Sequence, residues 1–195
     1  MKTSFAIAAA LALLASTTVT QADGLYASVG LGQSSFNNLN KTALASDVLS
    51  VDRIQGSQFF VLGYELTPNW AAELSYSYLG KFKMDRGVTN ANEYSYNSAY
   101  SIAAVGRFYP FDSGKGLSVS GKLGYASVTM EAKHAPIGTV SPYATSGKGS
   151  ALMGVGVEYA FTPSVSAGLN YDLYQNFGGM GANVENIHAS VKYRF

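Results

Sequence analysis

The final stretch of the chain, residues 185–195, reads ENIHASVKYRF and alternates with a strict period of two. Its apolar residues are Ile187, Ala189, Val191, Tyr193 and Phe195, and the polar residues between them are His188, Ser190, Lys192 and Arg194. Successive side chains of a β-strand point to opposite faces, so the pattern predicts a strand with one apolar and one polar face. Because the chain stops on this strand, we expect the strand to close a barrel against the first one.

The N-terminus has the pattern of a secretory signal peptide. Lys2 gives a positive start, residues 5–15 form a short apolar run, and residues 20–22 offer small side chains before a cleavage point. We therefore expect a signal peptide over residues 1–22 and a single barrel domain over residues 23–195.

Composition limits the class of protein. Thirteen basic and twelve acidic residues give a net charge of +1, which argues against nucleic acid as a partner. The chain contains no cysteine, so disulfides do not contribute to its stability. Charged residues make up 13%, about half the share of a soluble domain, while tyrosine contributes 14 residues and glycine 21. This balance favours a transmembrane barrel.

Seven further stretches show the two-faced pattern. They lie at about 24–32, 57–66, 70–79, 98–109, 117–130, 148–161 and 165–174. Short connections alternate with four long polar ones, at about 33–56, 80–97, 131–147 and 176–184. The expected fold is all-β, an eight-stranded antiparallel transmembrane up-and-down barrel with both termini and the short turns on the periplasmic side. Only the stretch at about 98–109 departs from clean alternation, because the apolar residues Ala103 and Val105 stand at positions of its polar face.

The placement of charge separates this barrel from a soluble one, which is apolar inside and charged outside. Every mid-strand charge lies opposite the apolar face of its strand. These charges are Glu65, Glu73, Arg107, Lys122, Glu158, Asp172, Lys192 and Arg194. A Lys or Arg facing lipid at the midplane costs about 2–4 kcal/mol, a penalty that water would not impose. The apolar faces are therefore expected to meet lipid and the charges to line the lumen.

Aromatic residues gather near both ends of the predicted strands, as in the two girdles of a membrane barrel. The periplasmic group is Tyr64, Trp70, Phe108, Tyr159, Phe161, Tyr193 and Phe195. The outer group is Tyr76, Tyr78, Tyr100 and Tyr171.

The chain resembles the OmpA-like / OmpX-like family of eight-stranded outer-membrane barrels in three segments. These are GLYASVGLGQS (24–34), FFVLGYELTPNWAAELSYSYLG (59–80) and the terminal HASVKYRF (188–195). The resemblance implies an outer-membrane location, contact with membrane lipid and lipopolysaccharide, and biogenesis through periplasmic chaperones and the barrel-assembly machinery. It also implies that Tyr193 and Phe195 form the assembly signal. Because the sequence stops at Phe195, before any peptidoglycan-binding domain, no cell-wall anchoring is expected.

The expected lumen charges balance, with His188 as a possible fifth base. Unpaired buried charges are costly, and an eight-stranded barrel is just wide enough for its own side chains to fill it. We therefore expect a plug of paired charges and a structural or surface-interaction role carried by the external loops, whose ligand is unknown. The alternative is a narrow channel for ions or small solutes, opened by rearranging a pair that involves Arg107 or Lys122.

A lipid-modifying enzyme is the last alternative. Lipid A deacylases carry a His-x-Ser pair, and this chain has His188 and Ser190. The alternation along the terminal strand places both side chains in the lumen. The active site of a lipid-modifying enzyme should face the bilayer, so no enzymatic activity is expected. We expect no cofactor and no metal, because the chain lacks cysteine and its two histidines, His134 and His188, lack ligand partners at the spacing of a metal site.

Overall fold

Nine β-strands make up most of what the computed structural model describes, namely residues 24–37, 48–51, 54–86, 92–111, 116–134, 144–177 and 182–195. The strands are β1 (Leu25–Asn37), β2 (Val48–Val51), β3 (Ile54–Thr67), β4 (Trp70–Arg86), β5 (Asn92–Phe108), β6 (Gly116–His134), β7 (Ala144–Ala160), β8 (Val165–Phe177) and β9 (Ala182–Arg194). No helix among these residues is long and apolar enough to cross a membrane. The predicted signal peptide lies outside the described residues.

Eight of the strands form a closed antiparallel ring. Its order is β1, β3, β4, β5, β6, β7, β8 and β9, and β9 pairs back onto β1. At this closing pair the Phe195 N–H donates to the Leu25 carbonyl at 3.0 Å. The remaining strand, β2, pairs with β4 and stands outside the ring. The predicted eight-stranded barrel is confirmed.

The register of the ring gives the barrel its stagger. One row of paired residues leaves β1 at Tyr26 and crosses Gly63, Glu73, Ala103, Gly124, Leu152, Tyr174 and Val184. It returns to β1 at Phe36, ten residues beyond its start. The strands are therefore inclined to the barrel axis, and side chains from different strands reach the same height in the lumen.

The two faces of the strands separate as the alternation predicts. Outward residues such as Leu74, Leu123 and Leu169 are 60%, 66% and 65% exposed. Their inward neighbours Glu73, Lys122 and Asn170 lie in the lumen, with at most partial exposure. Ala103 and Val105, which blur the pattern of the fourth predicted strand, are buried on the inward face.

The two ends of the barrel differ in their connections. At the turn end lie both termini of the barrel domain and the connections β3–β4, β5–β6 and β7–β8. At the loop end the structure corrects the prediction, because strands occupy much of the predicted loops. β4 extends to Arg86, β5 begins at Asn92, β6 extends to His134 and β7 begins at Ala144. Polar residues continue a hairpin beyond the membrane because backbone pairing does not require an apolar face.

Two inward glycines make room for large lumen side chains. The Tyr26 ring lies against Gly63, and a Cβ at Gly63 would overlap it. The Phe59 ring lies in the same way over Gly30. A ring that lies flat on the wall occupies less of the narrow lumen than one that projects into it, so these glycines permit two aromatic side chains inside an eight-stranded barrel.

Candidate functional site

The lumen charges fall into two layers. The layer nearer the turn end, the turn-side layer, consists of Glu65, Arg107, Glu158, Lys192 and Arg194. Arg107 Nη1 and Arg194 Nε both donate to Glu65 Oε1, at 2.5 and 2.9 Å. Lys192 Nζ donates to Glu158, whose other oxygen lies 3.7 Å from Arg194 Nη2. With three cations and two anions, this layer carries one excess positive charge.

The second layer, the middle layer, consists of Glu73, Lys122 and Asp172 near mid-barrel. Lys122 Nζ lies 3.3 Å from Glu73 Oε2 and 3.6 Å from Asp172 Oδ2, so one ammonium serves two carboxylates. This layer carries one excess negative charge, opposite to that of the turn-side layer. Together the two layers hold four acids and four bases, and their net charge is zero.

Tyr26 connects the layers. Its hydroxyl donates to Glu73 Oε1 at 2.7 Å in the middle layer. Its ring centroid lies 5.0 Å from the Arg107 guanidinium carbon and 4.8 Å from Lys192 Nζ in the turn-side layer. Cation–π contacts of this length stabilise desolvated cations. Tyr26 is fully buried, and its part in the charge network has no signal in the strand pattern.

Each layer draws on alternate strands of the ring. The turn-side layer comes from β3, β5, β7 and β9, and the middle layer comes from β4, β6 and β8. Every Lys or Arg ion pair in them therefore skips one strand. The stagger brings second-neighbour strands to a common height, as in the layered interior of other barrels. All eight predicted lumen charges lie in these two layers.

Beyond the middle layer, toward the loop end, the lumen contains a layer of buried apolar side chains. Its members are Phe36, Leu79, Ala99, Ala103, Ala126, Val128, Leu152, Tyr174, Phe177 and Val184, none more than 5% exposed. Phe177 contacts Phe36 and Tyr174 edge to face, with ring centroids 6.0 and 6.2 Å apart. The sequence prediction of a plug made of charges missed this layer. In the sequence, this apolar layer is visible as apolar residues on both faces of the outer segments of the strands.

His188 and Ser190 lie on the lumen side of β9. The His188 ring packs on Phe59, with centroids 3.9 Å apart, and its Nε2 lies 3.9 Å from Asp172 Oδ2. Ser190 Oγ donates to the Gly168 carbonyl at 3.4 Å and accepts from Asn170 at 3.1 Å. The serine is therefore engaged by groups other than the histidine. Among the described residues, no group of three or more His, Cys, Asp or Glu is placed to hold a metal ion.

Aromatic side chains ring the outer wall at two heights. Trp70, Phe108 and Phe161, near the turn end, are 57%, 66% and 64% exposed. Tyr100 and Tyr125, nearer the loop end, are 61% and 57% exposed. Tyr125 is not among the residues of the predicted outer girdle. At the C-terminus, the rings of Tyr193 and Phe195 lie 5.2 Å apart, edge to face.

Solved structures of several outer-membrane barrels share this architecture. The Yersinia pestis attachment invasion locus protein Ail, solved with the heparin analogue sucrose octasulfate, is 16% identical, with a TM-score of 0.58 over 88% of this chain and 99% of Ail. Neisserial surface protein A is 16% identical, with a TM-score of 0.55 over 89% of this chain and 98% of that protein. Pseudomonas aeruginosa OprG is 11% identical, with a TM-score of 0.57 over 88% and 96% of the two chains. At these identities the likeness concerns the fold.

Sequence comparison gives the family. No curated protein matches the chain at a significant level. The model of the outer membrane protein beta-barrel domain matches residues 5–195. With the closed ring of eight strands and its lipid-facing apolar wall, this match shows that the chain belongs to the outer membrane protein beta-barrel domain family and resides in the bacterial outer membrane.

Proposed function

We propose that this protein is a closed, non-conducting barrel that serves the envelope as a structural or surface-interaction protein through its outer strands and loops. The observation that carries the proposal is the apolar layer, whose ten side chains fill the outer part of the lumen. An ion crossing this layer would lose most of its hydration, because the hydroxyl that the layer contributes, that of Tyr174, is already bonded to Ser77. The two charge layers add a second obstacle, because each of their cations is paired with a carboxylate.

Planar-bilayer recording tests closure. The mature protein and Arg107→Ala, both confirmed as folded on an unboiled gel, are expected to leave the membrane silent. Arg107→Ala is informative because it opens the turn-side layer and leaves the apolar layer intact. Reproducible discrete openings of the wild-type protein, altered by Arg107→Ala, would replace the proposal with the narrow-channel alternative.

The outer segments support a surface role. β4, β5, β6 and β7 continue well past the aromatic residues of the outer wall, and β2 adds to β4 near Arg86. A rigid barrel that carries such hairpins is a suitable scaffold for loops that bind a ligand. The structural neighbour Ail was solved in complex with a heparin analogue. This supports an external ligand for the present barrel but does not identify that ligand.

Loop exchange tests the surface role. Residues 135–143 are replaced by a Gly/Ser segment of equal length, and residues 112–115, at the turn end, by a matched control segment. We expect adherence of expressing cells to host-cell monolayers to fall with the first exchange only, while both proteins remain folded. Equal adherence of both variants would leave a purely structural role.

We further propose that Tyr193 and Phe195 act as the assembly signal, read by the barrel-assembly machinery after delivery by periplasmic chaperones. Both edges of β9 are paired in the closed ring, so its backbone is available for recognition only before closure. Lipopolysaccharide and other outer-membrane lipids would contact the finished wall. We assign no enzymatic role, since His188 is buried in the lumen and Ser190 is not bonded to it.

A further inference from the structure

A groove of about 490 Å³, the wall groove, lies on the lipid-facing surface between two rows of paired residues. The first row is Trp70, Gly106, Gly121, Val155 and Tyr171, and the second row is Ala104, Leu123, Met153 and Leu173. Lys122 also contributes to the lining, but its Nζ lies in the lumen beside Glu73 and Asp172. The wall groove is therefore a feature of the outer wall and not of the charge layers.

Two outward glycines form the floor of the wall groove. Gly106 and Gly121 are paired with each other in the first row. A Cβ at Gly121 would meet no atom within 4 Å, and a Cβ at Gly106 would lie 3.3 Å from the Trp70 ring. Leu123 and Val155, beside this floor, are 66% and 61% exposed. Glycine inside a strand weakens the strand and often marks the close approach of a ligand.

The wall groove follows the stagger of the strands. Trp70 begins β4 at the turn end, whereas Tyr171 lies in the middle of β8. The groove therefore starts at the aromatic residues near the turn end and rises toward the middle of the wall. An acyl chain of the leaflet at the turn end takes the same course, from the headgroup level, where aromatic residues gather, toward the middle of the bilayer.

The lining of the wall groove favours an apolar chain as the occupant. The groove continues the lipid-facing wall on both sides, and neither of its two rows contains a charged residue. A charged ligand would find no counter-ion there. An acyl chain that follows the floor gains dispersion contacts, which are lost where a gap separates lipid from protein.

We propose that the wall groove is a binding site for one acyl chain of a phospholipid in the leaflet at the turn end. The chain lies over Gly106 and Gly121, with Trp70 at the headgroup end of the groove. This inference goes beyond the general contact of the wall with lipid, because it assigns a place where one chain is held in preference to its neighbours. It depends neither on closure of the lumen nor on an outer partner.

Trp70 reports whether the wall groove is occupied, because the chain contains one tryptophan and that residue lines the groove. The folded mature protein, in a detergent that does not quench, is titrated with a phospholipid brominated in an acyl chain, and the fluorescence of Trp70 is recorded. We expect quenching to saturate at a low mole fraction of the lipid, because one site is filled. Quenching that stays proportional to the mole fraction would show ordinary exchange of boundary lipid and overturn the proposal.

Two filling variants locate the site. Gly121→Phe places a ring on the floor and is expected to raise the lipid fraction at half-maximal quenching about tenfold, which corresponds to about 1.4 kcal/mol of lost packing. Ala189→Phe is the matched control, because it fills a second groove of about 590 Å³ elsewhere on the outer wall, and it should titrate like the wild-type protein.

Both variants are checked on an unboiled gel, and each titration is scaled to the unquenched fluorescence of the same variant. An unchanged titration of folded Gly121→Phe would place the chain elsewhere and contradict the proposal. If Gly121→Phe does not fold, the wild-type titration still decides between saturation and proportional quenching.

A second copy of this chain is the other apolar occupant that the test distinguishes. It would shield Trp70 from the brominated lipid at every mole fraction, and chemical cross-linking would give a dimer that Gly121→Phe abolishes. That result would replace the acyl chain with a contact between copies. Bilayer conductance of the wild-type protein would refute closure without changing the titration, so this proposal and the proposed function fail separately.

Discussion

The two halves of the lumen are lined by opposite kinds of side chain. Toward the turn end the strands contribute charged side chains that pair across the barrel, and toward the loop end they contribute mainly Leu, Val, Phe and Ala that pack on one another. The first half depends on every charge finding its counterpart, because an uncompensated buried charge is strongly destabilising. The second half depends on volume and fit. A barrel interior need not be polar throughout, even where its outer wall is uniformly apolar.

The largest effect is expected at the shared cation of the middle layer. Lys122→Met would leave Glu73 and Asp172 without their ammonium, and we expect a loss of about 3–5 kcal/mol in the free energy of unfolding. Urea unfolding in lipid vesicles measures it. The triple change Lys122→Met, Glu73→Gln and Asp172→Asn should recover most of the loss. A single variant as stable as wild type would show that the charged half is not held by its pairing.

In the apolar half, Leu152→Ala should lower the free energy of unfolding by about 2–5 kcal/mol, because it leaves a cavity in a packed layer. The matched control is Leu123→Ala on the lipid-facing wall, where Leu123 is 66% exposed and lipid fills the vacated space. We expect a clearly smaller loss for the control in the same unfolding assay. Equal losses would mean that the apolar layer is no better packed than the outer wall.

The contact between the wall and Tyr26 should have an intermediate effect. In Gly63→Ala the new methyl displaces the Tyr26 ring, and with it the bond to Glu73, at an expected loss of about 1–3 kcal/mol. Gly121→Ala is the control, since a Cβ there has nothing within 4 Å. The measurement is the free energy of unfolding of the two variants. If Gly63→Ala is as stable as the wild-type protein, Tyr26 does not link the two layers.

The smallest effect is expected where the halves meet. Ser57 Oγ donates to Asn186 Oδ1 at 2.9 Å, and both residues are buried. Ser57→Ala should cost about 1 kcal/mol. In a double-mutant cycle with Asn186→Ala, the combined loss should fall short of the sum of the single losses. Strict additivity would show that the bond contributes nothing.

The sequence was sufficient for the outer wall and much less so for the interior. Alternation places residues such as Leu74 and Glu73 on opposite faces, and lipid assigns the faces because it excludes charge. The partner of each charge depends on stagger, which no single strand encodes, so the pairing of Lys122 with Asp172 was not predictable. The apolar layer was hidden because Phe177 fell in a predicted loop and Ala103 blurred its strand.

Strand ends were misjudged for a related reason. The alternation of apolar and polar residues stops where the membrane stops, but the hairpin does not. β6 continues to His134 because its backbone remains paired to β5. Polar strand segments outside a bilayer look like loops in a pattern that is read for apolar faces.

The ion pairs that skip one strand bear on how such a barrel changes in evolution. Inserting a two-stranded hairpin keeps the ring antiparallel and separates only those ion pairs that span the point of insertion. Ion pairs elsewhere in the ring keep both partners on second-neighbour strands. Lumen substitutions are therefore expected to co-vary between second-neighbour strands rather than between adjacent ones.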